Sequence, residues 1–508
     1  MALTRPAESL TTRTVHAAQW RVVGAVVGVV SQLVVGVVLA RLLTPADFGV
    51  SALAYVVLGL AQPLGDLGLG SAVVRQPGLT DRHIRVAFTC SVLVGIAIAA
   101  AMAVAAPFGA VAMRDARVTP VLRVLSVGIA LRGTSVVAEA LLRRNLDFRR
   151  QIIIECASYL FGYGGVAVSL AVLGHGVWSL VYGGLAQTFM ASIAQLAVVR
   201  HPIRLLLAAH ERQELLGFGV AAAVSGCVNY AALNGDYFVI GRLMGAFNLG
   251  LYSRAYGLMN LPHNYAGGLM SAVMFPAFAQ VQEEPARVRT GYLAVTRLTA
   301  MIAGPAMATM AVVAPHLLPA LYGPQWTGAV VPLQILTLAG YFRALYHLGG
   351  VVAHSVGRVY GDLWRQISYA AAVIGGTLAG SRYGLPGVSV GVSVAILYMF
   401  VATAHLALGA TGTHWREYWH VQFDALVAAA FTGAIALVVR LLLETARVSE
   451  VAIALAVLGA AAVPWSLRTA RLLGEPDFAS LRAGLPPRAV RFVEALGGSR
   501  GDARERGR

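Results

Sequence analysis

The 508-residue sequence contains no lysine, and only 12% of its residues are charged. Ordinary soluble domains carry about 25% charged residues and are about 45–50% apolar. Here 58% of the residues are hydrophobic and the mean hydropathy is +0.71. This shortage of charge excludes an ordinary soluble globular domain and indicates a protein that lies largely within a membrane.

Cysteine is also scarce, because the chain has only Cys90, Cys156 and Cys227. Each lies in an apolar run, without the CxxC or histidine spacing of a metal site, so we expect neither a disulfide framework nor a bound metal. Nucleotide-binding GxxxxGK[ST] and metalloprotease HExxH motifs are missing as well. The sequence therefore predicts no cofactor and no direct hydrolysis of ATP.

Arginine supplies all 39 positive charges against 23 acidic residues, which gives a net charge of +16. A basic balance of this size can indicate nucleic-acid binding. These arginines, however, lie mostly in short loops between apolar runs and in the C-terminal tail, where they would meet anionic lipid headgroups. We therefore predict membrane lipids, and not nucleic acid, as the partners of the basic surface.

Long apolar runs separated by short polar joints fill most of the chain. A membrane-crossing helix needs about 20 apolar residues, and the runs are too long and continuous for the alternating strands of a membrane β-barrel. The sequence predicts an all-α integral membrane protein with about 14 transmembrane helices. The predicted spans are 22–42, 49–69, 85–108, 120–142, 152–173, 177–199, 213–234, 248–276, 290–314, 330–353, 362–380, 386–409, 421–443 and 449–470.

Arginine is concentrated in alternate loops, on the side that would hold both termini. Because positively charged loops remain in the cytoplasm, both termini are predicted to be cytoplasmic. No polar segment between spans is long enough for a folded domain. The predicted organisation is a leader 1–21, an N-lobe 22–199, a linker 200–212, a C-lobe 213–409, two extra spans within 410–470 and a tail 471–508.

An internal repeat relates the two halves of the chain. Residues 41–60 align with 242–261 at an offset of 201, which pairs Arg41 with Arg242 and Gly49 with Gly250. A second window, at an offset of 211, aligns 122–132 with 333–343. The repeat predicts two six-helix lobes in the same orientation plus two extra C-terminal helices. Such parallel repeats are typical of transporters that bind substrate between the halves and work by alternating access.

Four segments carry a resemblance to a known family: RLLTPADFG after the first span, GDLGLGSAVVRQ, LLRRNLDFRR, and DYFVIGRLMGAFNLGLYSRAY. They resemble Wzx-type polysaccharide flippases of the lipopolysaccharide or colanic-acid branch, within the multidrug/oligosaccharidyl-lipid/polysaccharide superfamily that includes the MATE transporters. The resemblance implies translocation of an undecaprenyl-diphosphate-linked oligosaccharide across the bacterial plasma membrane for surface polysaccharide synthesis. It also suggests a polysaccharide polymerase and chain-length proteins as candidate partners.

A carrier of this cargo needs cations for the diphosphate, and among the arginines within predicted spans the candidates are Arg132, Arg343 and Arg297. A buried arginine is costly in a membrane and normally faces a cavity or a partner. Arg132 and Arg343 occupy matching repeat positions, and their guanidinium groups could bind phosphate oxygens bidentately. Interhelical ion pairs or bonds to backbone carbonyls are the alternative interpretation.

The eighth span carries a polar and aromatic stripe suited to sugar contacts, to which the seventh span adds an amide. Its alternative interpretation is helix packing. The predicted glycan-binding residues are Tyr252, Tyr256, Asn260, His263 and Asn229.

Three carboxylates are candidates for coupling to an ion or proton: Asp66, Glu139 and Asp236. Glu139 lies seven residues after Arg132, on the same helical face, and could instead only neutralise that arginine.

Three other functions remain open from the residues alone. A drug or cation antiporter of the same superfamily would favour an acidic cavity over central arginines. A membrane-embedded polysaccharide polymerase or glycosyltransferase would ordinarily need a substantial external loop, which the sequence lacks. A scaffold for a synthesis complex would not transport at all. We predict a transporter and not an enzyme.

Overall fold

The computed structural model describes residues 10–262, 278, 284–355, 359–446 and 448–473. Within these ranges the chain is helical and contains no strand. Ten of the described helical stretches are long and apolar enough to cross a membrane, and one of them, 364–411, joins two helices through a short turn. The prediction of an all-α membrane protein is confirmed.

The chain divides into two compact units, Met1–Ser253 and Arg254–Arg508. This division falls inside a helix, and the lobe boundary predicted in the linker 200–212 stays a prediction. The helices that lie wholly in the first unit are α1 Leu10–Leu42, α2 Pro45–Asp66, α3 Leu69–Arg75, α4 Asp81–Met113, α5 Val118–Arg144, α6 Phe148–Ala157, α7 Val166–Val172 and α8 Val177–Val199.

Most predicted spans agree with these helices to within a few residues, and α8 has the predicted bounds. The clear exception is α1, which begins at Leu10 and not at residue 22, so the second half of the predicted leader is continuous with the first span. The fifth predicted span contains a π-helical segment, Ser158–Gly165, between α6 and α7. The wider π turn was not predicted, because hydropathy carries no signal for it.

Helix α9, Ala209–Pro262, covers the seventh predicted span and the start of the eighth. Its two parts, 209–244 and 246–262, meet at Gly245, whose φ of 81° and ψ of 172° are non-helical. Glycine adopts this backbone conformation readily, which explains the break between the two spans. The rest of the eighth predicted span, 263–276, lies outside the described residues.

The remaining helices lie in the second unit and match the predicted spans nine to fourteen. They are α10 Pro285–Tyr322, α11 Val330–Ser355, α12 Val359–Gly380, α13 Gly384–Thr411, α14 Trp415–Thr445 and α15 Glu450–Leu473. The predicted tail 471–508 lies outside the described residues after Leu473.

Two glycines of the first unit allow α2 to touch the second part of α9 through the backbone. A Cβ added to Gly49 would overlap the carbonyl oxygen of Ala246, and one added to Gly250 would overlap that of Pro45. At the repeat offset of 201, Gly250 is equivalent to Gly49, and Ala246 is equivalent to Pro45. The two repeat segments therefore meet reciprocally through the same pair of positions, as in a two-fold contact.

A charged cluster in the second unit ties α10 to α14 and α15. The imidazole of His316 is 7% exposed, its Nε2 lies 2.6 Å from Glu444 Oε1, and its Nδ1 contacts Glu450. Arg440 donates from Nε to the same oxygen of Glu444 at 2.8 Å. Each carboxylate faces one ring nitrogen, so the imidazole links Glu444 of α14 to Glu450 of α15.

Replacing His316 with alanine should therefore destabilise the second unit by about 2 kcal/mol, since it leaves two carboxylates with one guanidinium between them. The measurement is the thermal unfolding midpoint of purified protein in detergent. Arg289→Ala, which breaks an exposed ion pair to Glu417, is the control and should cost less than about 1 kcal/mol. Equal midpoints for the two variants would contradict this assignment.

Candidate functional site

The first unit contains a cavity of about 360 Å³ between α2, α3, α5 and the first part of α9. Its volume falls within the range of small-molecule sites. Polar side chains from all four helices line it: Gln62, Asp66, Ser71, Arg132, Glu139, Arg143, Asn229 and Tyr230. The predicted residues Arg132, Asp66, Glu139 and Asn229 are thus brought together in one cavity.

Helix α5 supplies the charged wall of the cavity because its opposite face packs closely on α4. A Cβ added to Gly133 would lie 2.6 Å from the carbonyl oxygen of Ser91 on α4, so the two backbones nearly touch. The cavity residues Arg132, Glu139 and Arg143 repeat at helical spacing on the other face. Arg132 and Glu139 therefore share the helical face predicted for them, and Arg143 extends it.

Within the cavity, Arg132 is held by two carboxylates. Its Nε donates to Asp66 Oδ2 at 3.2 Å, and its Nη2 lies 3.7 Å from Glu139 Oε2. The other oxygen of Glu139 contacts the guanidinium of Arg143. Two guanidinium groups thus balance two carboxylates among the charged lining residues, and the interhelical ion pair given as the alternative for Arg132 is present.

This arrangement keeps polar groups accessible at the wall of the cavity. The side chains of Arg132 and Arg143 remain 42% and 51% exposed, so both can still reach a bound anion. Asn229 contributes an exposed amide, while the Tyr230 hydroxyl donates to the backbone oxygen of Tyr55 at 2.8 Å. The cavity can therefore offer cations to a phosphate and amide or hydroxyl groups to a sugar.

Asp236 and Tyr252 lie apart from this lining and bond to each other. Asp236 is 1% exposed, its Oδ2 accepts a hydrogen bond from the Tyr252 hydroxyl at 2.8 Å, and its Oδ1 accepts the Tyr237 backbone N–H at 2.9 Å. The contact joins the two parts of α9 on either side of Gly245. The structure thus gives this carboxylate and this tyrosine a packing role beside their predicted coupling and glycan roles.

In the second unit, Arg343 lies in a cage of tyrosines. The residue is 7% exposed, its guanidinium carbon lies 5.3 Å from the Tyr256 ring centre and 5.9 Å from that of Tyr346, and its Nη1 donates to the Tyr369 hydroxyl at 3.3 Å. Among the described residues, Arg343 Nε has no hydrogen-bond partner. Unlike Arg132, Arg343 makes no ion pair with a carboxylate of the described chain.

The other predicted residues of the second unit have different surroundings. Arg297 on α10 donates to Asp424 Oδ2 of α14 at 3.2 Å. Asn260 is 8% exposed, and its side-chain oxygen has no hydrogen-bond partner in the described part of the chain. Predicted His263 lies outside the described residues.

Sequence reasoning did not assign Tyr346 and Tyr369 to the site. Tyr346 follows Arg343 by three residues, a spacing that places neighbours on one helix face, so this contact could have been predicted. Tyr369 lies on the next helix and becomes visible only in the fold. Ser71 and Tyr230 of the first cavity were missed for the same reason.

Comparison with known proteins identifies relatives of this chain. The chain is 24% identical to the lipopolysaccharide biosynthesis protein WzxC of Escherichia coli, over 81% of this chain and 84% of WzxC. It is 27% identical to the succinoglycan biosynthesis transport protein ExoT of Rhizobium meliloti, over 80% of this chain and 82% of ExoT.

The fold is also similar to a solved structure of the lipid II flippase MurJ in an inward closed conformation. The TM-score is 0.69 at 12% identity, over 89% of this chain and 99% of MurJ. A model of the family described as polysaccharide biosynthesis protein matches residues 38–331, which is more than half of the sequence. The Wzx-type resemblance is thus confirmed, and the chain belongs to this family of polysaccharide biosynthesis proteins.

Proposed function

We propose that this protein is a flippase that moves an undecaprenyl-diphosphate-linked oligosaccharide across the plasma membrane by alternating access. Membership of the family supports a role in polysaccharide synthesis, and the names of ExoT and MurJ point to transport and lipid flipping. The observation that carries the proposal is the cavity of the first unit, which combines guanidinium groups with amide and hydroxyl side chains. These are the groups that a sugar diphosphate requires.

In this proposal, Arg132 and Arg343 bind the diphosphate, and Arg297 assists from α10. Asn229 contacts the glycan, with Tyr252, Tyr256, Asn260 and His263 as further candidates. Asp66, Glu139 and Asp236 are the candidates for coupling. The protein acts as a transporter and not as an enzyme, in the inner membrane with both termini cytoplasmic, and it serves a polymerase and chain-length proteins.

The membrane potential can drive such a step without nucleotide. Moving a diphosphate of charge about −2 outward is favourable by up to about 4.6 kcal/mol at 100 mV, from about 2.3 kcal/mol per charge. Bound arginines would reduce this figure by neutralising part of the charge. The transport rate should therefore rise with an inside-negative potential.

The test is a leaflet-resolved assay in proteoliposomes that contain a fluorescent polyprenyl-diphosphate oligosaccharide. A membrane-impermeant lectin captures the glycan that reaches the outer leaflet, with and without an imposed potassium diffusion potential. We expect protein-dependent, potential-stimulated capture with unchanged glycan. Capture no faster than in empty liposomes would reject the flippase, and altered covalent structure of the glycan would favour the enzyme.

Arg132→Gln should slow translocation at least tenfold in this assay, since one charge-assisted bond to phosphate is worth about 1.5–3 kcal/mol. The matched control is Arg117→Gln, because Arg117 also pairs with a carboxylate, that of Asp115, but does not line the cavity. Equal rates for the two variants would remove Arg132 from the proposed site.

A further inference from the structure

The guanidinium of Arg132 contacts two different carboxylates through two of its nitrogens. The Nε and Nη2 groups form the edge that a single oxyanion can bind bidentately. Asp66 faces Nε and Glu139 faces Nη2. A phosphate that binds through both nitrogens therefore competes with Asp66 for Nε and with Glu139 for Nη2.

In Arg117, by contrast, a single carboxylate binds both Nε and Nη2. One carboxylate, that of Asp115, accepts from Nε at 3.0 Å and from Nη2 at 2.7 Å. These bonds from Arg117 lower the pKa of Asp115. In the cavity the corresponding distances are 3.2 Å and 3.7 Å. The contacts of Arg132 with Asp66 and Glu139 are longer than those of Arg117 with Asp115, so a phosphate displaces these two carboxylates more easily.

We propose that Asp66 and Glu139 are internal competitors of the cargo phosphate, which hold Arg132 when the cavity is empty and return to it when cargo leaves. The inference rests on the proposed function, and it assigns the two carboxylates to cargo release. Without them, the cavity would hold two unpaired guanidinium groups and would bind a diphosphate too tightly to release it. With them, cargo binding replaces the carboxylates of Asp66 and Glu139 on Arg132 with phosphate oxygens, and cargo release reverses the replacement.

Within the described residues, Arg343, the repeat equivalent of Arg132, has no such carboxylate partner. At the offset of 211, Glu139 corresponds to Gly350, and at the offset of 201, Asp66 corresponds to Gly267. The described partners of Arg343 are tyrosines. The replacement of carboxylates by phosphate is therefore assigned to Arg132, whereas no carboxylate of the described chain pairs with Arg343.

The direct test measures the binding of inorganic pyrophosphate to purified full-length protein in nanodiscs by calorimetry. Asp66→Asn keeps the shape of the side chain but removes its charge. We expect pyrophosphate to bind about tenfold more tightly, and the gain to disappear in the Asp66→Asn, Arg132→Gln double variant. Asp115→Asn, which changes a pair outside the cavity, should leave the affinity unchanged.

A second measurement follows translocation of the lipid-linked oligosaccharide by Asp66→Asn. If release is slowed, the apparent KM and the maximal rate should both fall, whereas a folding defect would lower the rate without tightening binding. Pyrophosphate affinity that is unchanged or weaker in Asp66→Asn overturns the competition, whatever the translocation result. If Asp66→Asn binds pyrophosphate more tightly but the wild type does not translocate the lipid-linked oligosaccharide, the flippase is rejected. Competition between the carboxylates and phosphate is still supported in that case.

Discussion

Replacing Arg343 with glutamine should reduce translocation at least 100-fold while the protein still reaches the membrane. Arg343 is 7% exposed, and its described partners are the rings of Tyr256 and Tyr346 and the hydroxyl of Tyr369, so no carboxylate of the described chain neutralises its charge. A bidentate phosphate contact contains two charge-assisted bonds, each worth about 1.5–3 kcal/mol. Their loss corresponds to at least two orders of magnitude in rate.

Arg343→Lys separates the charge from the geometry. Lysine keeps the positive charge but lacks the planar fork that stacks on tyrosine and binds two oxygens. We expect Arg343→Lys to translocate faster than Arg343→Gln and more slowly than the wild type, in the same proteoliposome assay at matched protein content. Near-normal translocation by Arg343→Gln would show that the cage only packs the second unit.

The sequence predicts the fold well because apolar runs, and the arginine-containing loops between them, can be recognised from short stretches of the chain. Helix α8 has the predicted bounds, and the stripe of Arg132, Glu139 and Arg143 follows from helical periodicity alone. The start of α1 at Leu10 could not be predicted from hydropathy, since most of the added residues are polar and include Arg13, His16 and Arg21. Continuity with an existing helix extends α1 beyond the membrane-length segment, because adding a residue to a formed helix avoids the cost of nucleation.

The sites were predicted only in part because their partners are distant in the chain. Asp66 and Arg132 are separated by 66 residues, and each is predicted from its own chemistry, because nothing in the sequence indicates that the two side chains touch. The His316 cluster was missed entirely, as its carboxylates are 128 and 134 residues away. Lone charged residues near span ends resemble solvated groups until packing brings them together.

The internal repeat predicted which residues are equivalent, but it did not predict that the equivalents touch. Gly49 and Gly250 align at an offset of 201, and nothing in the alignment requires proximity. The structure makes them the two halves of one reciprocal contact. A small residue at both positions is then explained by the backbone carbonyls that face them.

Gly49→Val should abolish translocation, because its added atoms would overlap the backbone oxygen of Ala246. A carbonyl in a helix cannot rotate away as a side chain can, so α2 and α9 must separate. Overpacking typically costs about 1–3 kcal/mol and sometimes more. The measurements are translocation and the thermal midpoint, with Gly257→Ala as the control, since a Cβ there has nothing within 4 Å.

Gly250→Val should behave like Gly49→Val, since its side chain would meet Pro45 in the equivalent way. The double variant should lose less stability than the two single losses added together, because helices already separated by the first valine have room for the second. Residues in contact commonly show interaction energies of about 0.5–3 kcal/mol in such cycles. Strict additivity of the two losses, or tolerance of valine at either position, would contradict a shared contact between the repeat segments.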